Sequence, residues 1–225
     1  MRILSCILLL MLSKPVLGQE LVPKSKKLTR PFIGEEYYVL KSDPTIKQGE
    51  YKRFFSSRPG ALAIKGQYQE DTKVGTWEYY DPFNGGLVQQ YNFTENKLEF
   101  TTPLKALQKI AVEENGQFIE KEPDEVPYFI GGDSFLYGYL GANTMFPTEA
   151  LRRHFSGSVF VTALVTKDGQ LIDEKVEEDP GMGLKEEALR VAKLLPDEFI
   201  PAKMMGEPVN TRVTFEMRFR FMPSR

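Results

Sequence analysis

The chain has 225 residues, 41% of them hydrophobic and 27% charged, with a formal net charge of −2. That composition excludes a disordered chain and gives no global basic field that would argue for nucleic acid. The length allows one large domain or two small ones.

Residues 1–18 read as a secretory signal. Arg2 supplies the positive start, and the run from Ile3 to Leu12 is apolar except for Ser5. Lys14-Pro15 cuts that run well short of the roughly 20 apolar residues that a spanning helix needs. Val16-Leu17-Gly18 predicts cleavage between Gly18 and Gln19. Cys6, the single cysteine, lies too near the start to be a lipid-attachment cysteine and leaves with the signal. The mature chain then has no disulfide, thiol nucleophile or cysteine-ligated metal. It keeps 27 basic residues against 31 acidic ones, a balance of −4. Export without cysteine fits the periplasm or outer envelope of a Gram-negative-type bacterium. An uncleaved anchor is the alternative.

Residues 19–34 are polar and basic (Lys24, Lys26, Lys27, Arg30) and predict a flexible leader. Residues 35–121 then present successive strands: EYYVLK (36–41), EYKRFFS (50–56), ALAIKGQYQ (61–69), GTWEYYD (75–81) and GLVQQYNF (86–93). Turn residues at intervals near ten make this an antiparallel meander. A weak internal echo at about 23–26 residues points to stacked hairpins, and the pattern resembles MORN-type hairpin repeats. LKALQKIAVEE (104–114) is ambiguous between helix and strand; strands near Lys109–Glu113 and Gln117–Glu120 are the preferred reading. KEPDEVP (121–127) marks the boundary to a second unit, residues 122–225.

In that unit, GGDSFLYGYL predicts a short helix capped by Asp133 or Ser134, and FPTEALRRHF another with Pro147 in its first turn. GSVFVTALVTKDGQLIDEKVEE predicts a hairpin around Lys167-Asp168-Gly169-Gln170. GLKEEALRVAKLLP is an amphipathic helix with Leu184, Ala188, Val191 and Leu195 on one face. VNTRVTFEMRFRF (209–221) alternates as a half-buried strand. At about 3.3 Å per residue it would run roughly 43 Å. The predicted fold is α+β: a three-stranded antiparallel sheet with helices on one face, behind an N-terminal β-meander.

The segments PYFIGG (127–132), FPTEALRR (146–153), GSVFVTALVTKDGQL (157–171), GLKEEALRVAKLLP (183–196), FIPAKMMGEPV (199–209) and the terminal strand together resemble the TonB C-terminal domain family. The resemblance implies a periplasmic protein-binding module whose exposed sheet edge receives a segment of an outer-membrane receptor as an added strand. The uncleaved anchor and long Pro-rich spacer of an energy transducer do not match this sequence, so energy transduction is the weaker reading.

No catalytic constellation emerges, and the chain reads as a non-enzyme with no cofactor or metal. His154 is the only histidine, which leaves a zinc site or a His-dependent triad without support. Ser134 and Ser156 lack a base. The acidic run Glu174, Glu177, Glu178, Asp179 lacks calcium-loop spacing. Trp77, Tyr79, Tyr80 and Tyr91 are either a binding face or stacked cross-strand aromatics. If 209–221 is an edge strand, the partner-binding residues are Asn210, Arg212, Thr214, Glu216, Arg218 and Arg220. The expected partner is a protein or peptide, with a TonB-dependent receptor as one candidate. The alternative is a structural envelope protein whose edge is covered by its own N-terminal region or by a homodimer.

Overall fold

The computed structural model describes residues 19–57 and 60–222. The expected signal, with Cys6 and Gly18, lies outside the described residues. Seven antiparallel strands in sequence order form the first sheet: β1 (Leu21–Lys27), β2 (Phe32–Leu40), β3 (Lys47–Phe55), β4 (Leu62–Gln69), β5 (Thr72–Tyr80), β6 (Leu87–Asn92) and β7 (Lys97–Thr101). The meander therefore follows its sequence pattern. The flexible leader does not: residues 21–27 pair with β2, from Leu21↔Leu40 to Lys27↔Gly34. A strand carrying three lysines and Pro23 shows no apolar alternation, and that composition suits an outer edge, where side chains stay in water.

The inner face of this sheet is aromatic. Tyr51, Trp77, Tyr79 and Tyr91 are buried, and Trp77 packs against Tyr51, Tyr68 and Phe93 with ring centroids 5.1–5.7 Å apart. Its indole N–H donates to the Gln67 carbonyl. A Cβ on Gly66 would fall 2.2 Å from the Trp77 ring, so only glycine lets the two strands close over the indole. Of the two readings of these aromatics, the structure favours core packing.

The second sheet has five strands in the order β12-β11-β16-β8-β9. Its members are β8 (Leu107–Glu114), β9 (Gln117–Glu120), β11 (Gly157–Val165), β12 (Leu171–Val176) and β16 (Thr211–Phe219). The expected three-stranded sheet is thus too small. The strand reading of 109–120 holds, with Asn115-Gly116 at positive φ closing a two-residue hairpin. But this hairpin joins the C-terminal sheet, because β8 supplies the second neighbour of β16. Short pairs complete the framework: β10 (Tyr128–Phe129) with β13 (Phe199–Ile200), and β14 (Ala202–Met204) with β15 (Glu207–Val209).

Helices α1 (Gly132–Asn143), α2 (Thr148–Arg152) and α3 (Leu184–Ala192) lie where the sequence places them. α3 buries Leu184, Ala188 and Val191 and packs on β11 and β12. α1 is not capped by Asp133 or Ser134. Both side chains make tertiary contacts instead: the Asp133 carboxylate accepts the Lys105 amide, and the Ser134 hydroxyl donates to Asp81. α1 links the two sheets. Phe135 enters the aromatic face of the first sheet, 5.5–6.2 Å from the rings of Phe32, Phe55 and Tyr79. Gln89, buried on β6, accepts the Gly131 amide at 2.7 Å. Buried apolar residues of both sheets form one continuous cluster. Among the described residues, no helix is long and apolar enough to cross a membrane.

Candidate functional site

The terminal strand is paired unequally on its two sides. β11 covers all of β16, from Gly157↔Phe219 to Val165↔Thr211. β8 covers only Thr211–Phe215: its ladder shifts register between Thr214 and Phe215 and stops at Phe215↔Leu107, the end of β8. From Glu216 to Phe219 the backbone on the β8 side has no strand partner among the described residues. A free edge along the whole of 209–221 is therefore not what forms; half of it is closed in cis.

This division sorts the six expected partner-binding residues. Asn210 sits in the break before β16, where its side-chain Oδ1 accepts the Lys167 amide and its Nδ2 donates to the Glu113 carboxylate. Arg212 pairs with Asp173 at 3.2 Å and lies over the Phe118 ring. The Thr214 hydroxyl meets that of Thr162. These three belong to the closed half. Glu216, Arg218 and Arg220 belong to the open half.

The open half borders a groove of about 610 Å³. Met217 and Phe219 of β16, with Leu140, Gly141 and Thr144 at the end of α1 and Phe146 beyond it, make its apolar wall. Tyr137, Glu216, Arg218, Arg220 and Met222 complete it. A Cβ on Gly141 would meet nothing within 4 Å, so the helix leaves space there that no other residue fills. Glu216 and Arg218 form an ion pair at 2.6 Å. Hydrogen bonds, first from Arg218 and then from Ser158, bring the Glu216 carboxyl down to about 2, and the same pairing raises Arg218.

Two further sets of contacts border the groove. The linker between α1 and α2 is tied to α3: Glu187 accepts the Met145 amide at 2.6 Å and Arg190 at 2.7 Å, and Arg190 donates to the Asn143 carbonyl. Burial pushes the Glu187 carboxyl up, but these hydrogen bonds outweigh it and hold the group below its ordinary value. At the other end, His154 stacks on Phe221 with centroids 4.4 Å apart, and the Ser156 hydroxyl accepts the Phe221 amide. The lone histidine and Ser156 thus pin the end of the terminal strand.

Sequence reasoning named Glu216, Arg218 and Arg220, which border this groove, but not the helical wall. Its available signal was the pair of glycines in FLYGYLGAN, two poor helix formers inside a helix.

Around the groove the chain is a small α+β unit with a half-open strand beside a helix. Residues 142–221 match the family model for the Gram-negative bacterial TonB protein C-terminal. This bears out the family resemblance read from the sequence. The match begins inside α1 and ends two residues beyond β16, so β8, β9 and the whole first sheet lie outside it. Domains of this family are non-catalytic and mediate protein interactions in the Gram-negative envelope. No curated protein matches the chain.

Proposed function

We propose that this chain is an exported envelope module that grips an extended segment of a partner protein by strand addition to Glu216–Phe219. The observation that carries the reading is the unequal pairing of β16, which leaves main-chain donors and acceptors open beside an apolar groove. An added strand continues the line that β8 abandons. Its alternate side chains face Leu140, Gly141 and Phe146 on one side, and Glu216, Arg218 and Arg220 on the other. The seven-stranded sheet, read from sequence as MORN-like hairpins, serves as the platform that holds α1. A TonB-dependent outer-membrane receptor segment is the first candidate partner.

The test is NMR titration of the mature chain with short receptor-derived peptides. Shifts should cluster at 137–146 and 216–222. Gly141→Phe, which fills the groove, should weaken binding by about tenfold or more, equivalent to about 1.4 kcal/mol. Shifts scattered elsewhere, or absent at millimolar peptide, would sink the reading. Mass spectrometry of the mature N-terminus tests export, with Gln19 the expected first residue.

The cover that β8 gives to residues 211–215 favours a second reading, a structural envelope protein in which another copy closes the remaining half. Light scattering separates the two: a stable dimer that peptide does not disrupt supports the structural role.

A further inference from the structure

α1 has a second face. Tyr137, Leu140, Gly141 and Thr144 look onto the groove, while Phe135, Gly138, Tyr139 and Ala142 border a separate cleft of about 290 Å³ between the helix and the first sheet. Phe32 and Phe55, ring centroids 5.8 Å apart, form its sheet-side wall. Tyr139 meets Phe32 edge-on at 5.7 Å. Arg30 stands at the rim and has no ion-pair or hydrogen-bond partner among the described residues.

Two independent features mark this cleft as built to be filled. Gly138 sits inside α1, where glycine is among the least favourable residues. A Cβ there would touch nothing within 4 Å. The protein's own packing therefore does not require the glycine, and the space it leaves opens onto aromatic walls. The second feature is the charge: Arg30, a cation without a partner among the described residues, lines a cavity whose walls are mainly apolar, with Ser56, Ser57 and Ser134 as its other polar residues. The volume is near the lower end for small-molecule sites, which run from about 300 Å³ upward.

We propose that this cleft binds a small amphiphilic carboxylate, with its aromatic or short acyl body between Phe32, Phe55 and Gly138 and its carboxylate at Arg30. The apolar walls select the body, and the guanidinium selects an anion over a neutral or cationic twin. The site is distinct from the groove at β16 and does not depend on the peptide-grip reading.

The probes are 3-phenylpropionate and its neutral twin 3-phenylpropanamide, titrated into the mature chain and followed by NMR. A fragment of this size should bind with a Kd on the order of 1 mM. Saturable shifts are expected at 30–32, 55–57 and 134–142. The amide should bind about two- to fivefold more weakly, the range of an exposed ion pair. Arg30→Gln should erase that difference. Gly138→Leu should abolish binding without lowering Tm, because leucine is the better helix former and the space is empty. Gly141→Phe should leave this binding unchanged. No saturable shift up to about 10 mM overturns the proposal, as do equal affinities for acid and amide or undiminished binding in a folded Gly138→Leu. Binding of a peptide ending in phenylalanine, with 3-phenylpropionate inert, would also overturn it by assigning the cleft to a protein partner.

Discussion

Phe135→Ala probes whether α1 makes the two sheets one cooperative unit. Phe135 is 4% exposed and sits within ring-contact distance of Phe32, Phe55 and Tyr79. Truncating a buried phenylalanine costs about 3–5 kcal/mol, part transfer free energy and part cavity. For a chain of this size each kcal/mol moves Tm by about 2–4 °C, so the variant should melt roughly 6–20 °C lower. The chain contains one tryptophan, Trp77, buried in the first sheet. Its fluorescence reports unfolding of that sheet, while circular dichroism reports the strands and helices of both. Urea unfolding followed by Trp77 emission and by circular dichroism should show both transitions moving together. A double-mutant cycle with Phe55→Leu should give a coupling of about 0.5–1.5 kcal/mol, the size of an aromatic pair beyond its area. Trp77 unfolding at the wild-type midpoint while the circular dichroism transition shifts would instead show the two sheets to be independent.

Gly66→Ala should cost about 1–3 kcal/mol or more by overpacking, since the added Cβ falls 2.2 Å from the Trp77 ring; a shift in Trp77 emission together with a lowered Tm checks it. Asn210→Ala should cost about 1–2 kcal/mol in urea unfolding, because the side chain ties both Lys167 and Glu113 to the start of β16. Glu187→Gln removes a carboxylate whose folded pKa is depressed. Such a group adds stability above its unfolded pKa of about 4.3 and loses it as pH falls through the folded value. The gap between wild type and variant should therefore be widest near neutral pH and close below about pH 4; denaturation curves across that range measure it, and a gap that persists in acid would contradict the assignment.

The parts of the fold legible in the sequence were those that bury a regular stripe. Runs of aromatic and β-branched residues between turn residues gave β2 to β6, alternation gave the terminal strand, and the spacing of Leu184, Ala188 and Val191 gave α3, whereas β7 was not named. β1 escaped because an exposed edge strand has no apolar stripe to read. The size of the second sheet escaped for a different reason. Hydrophobic pattern reports that a strand has a buried face, but not which strand lies beside it in the ladder. β8 and β9 were recognised as strands, yet the pairing of β8 with β16 is a contact across about 100 residues of chain, from Ala111 to Arg212. The same limit governed the site. Glu216, Arg218 and Arg220 were visible as an alternating face, whereas the groove depends on α1 crossing beside β16.

The half-cover by β8 also limits what the open edge can do. Only four residues, Glu216–Phe219, remain for a guest strand, about 13 Å of edge. A four-residue edge turns about four main-chain groups toward its guest. At about 0.5–1.5 kcal/mol net each, these hydrogen bonds contribute roughly 2–6 kcal/mol. Ordering four guest residues costs about 1–2 kcal/mol apiece, which offsets most or all of that gain. The ladder alone therefore sets position and direction but supplies little affinity. What tips the balance is burial of an apolar side chain against Leu140, Phe146 and Met217, worth about 1.5–3 kcal/mol for a leucine or phenylalanine. The exposed Arg218 contributes little by comparison, because it already pairs with Glu216 and faces water. Filling the space at Gly141 should consequently weaken a peptide far more than Arg218→Ala. The reverse ranking in the same titration would mean that charge, not the apolar anchor, selects the partner.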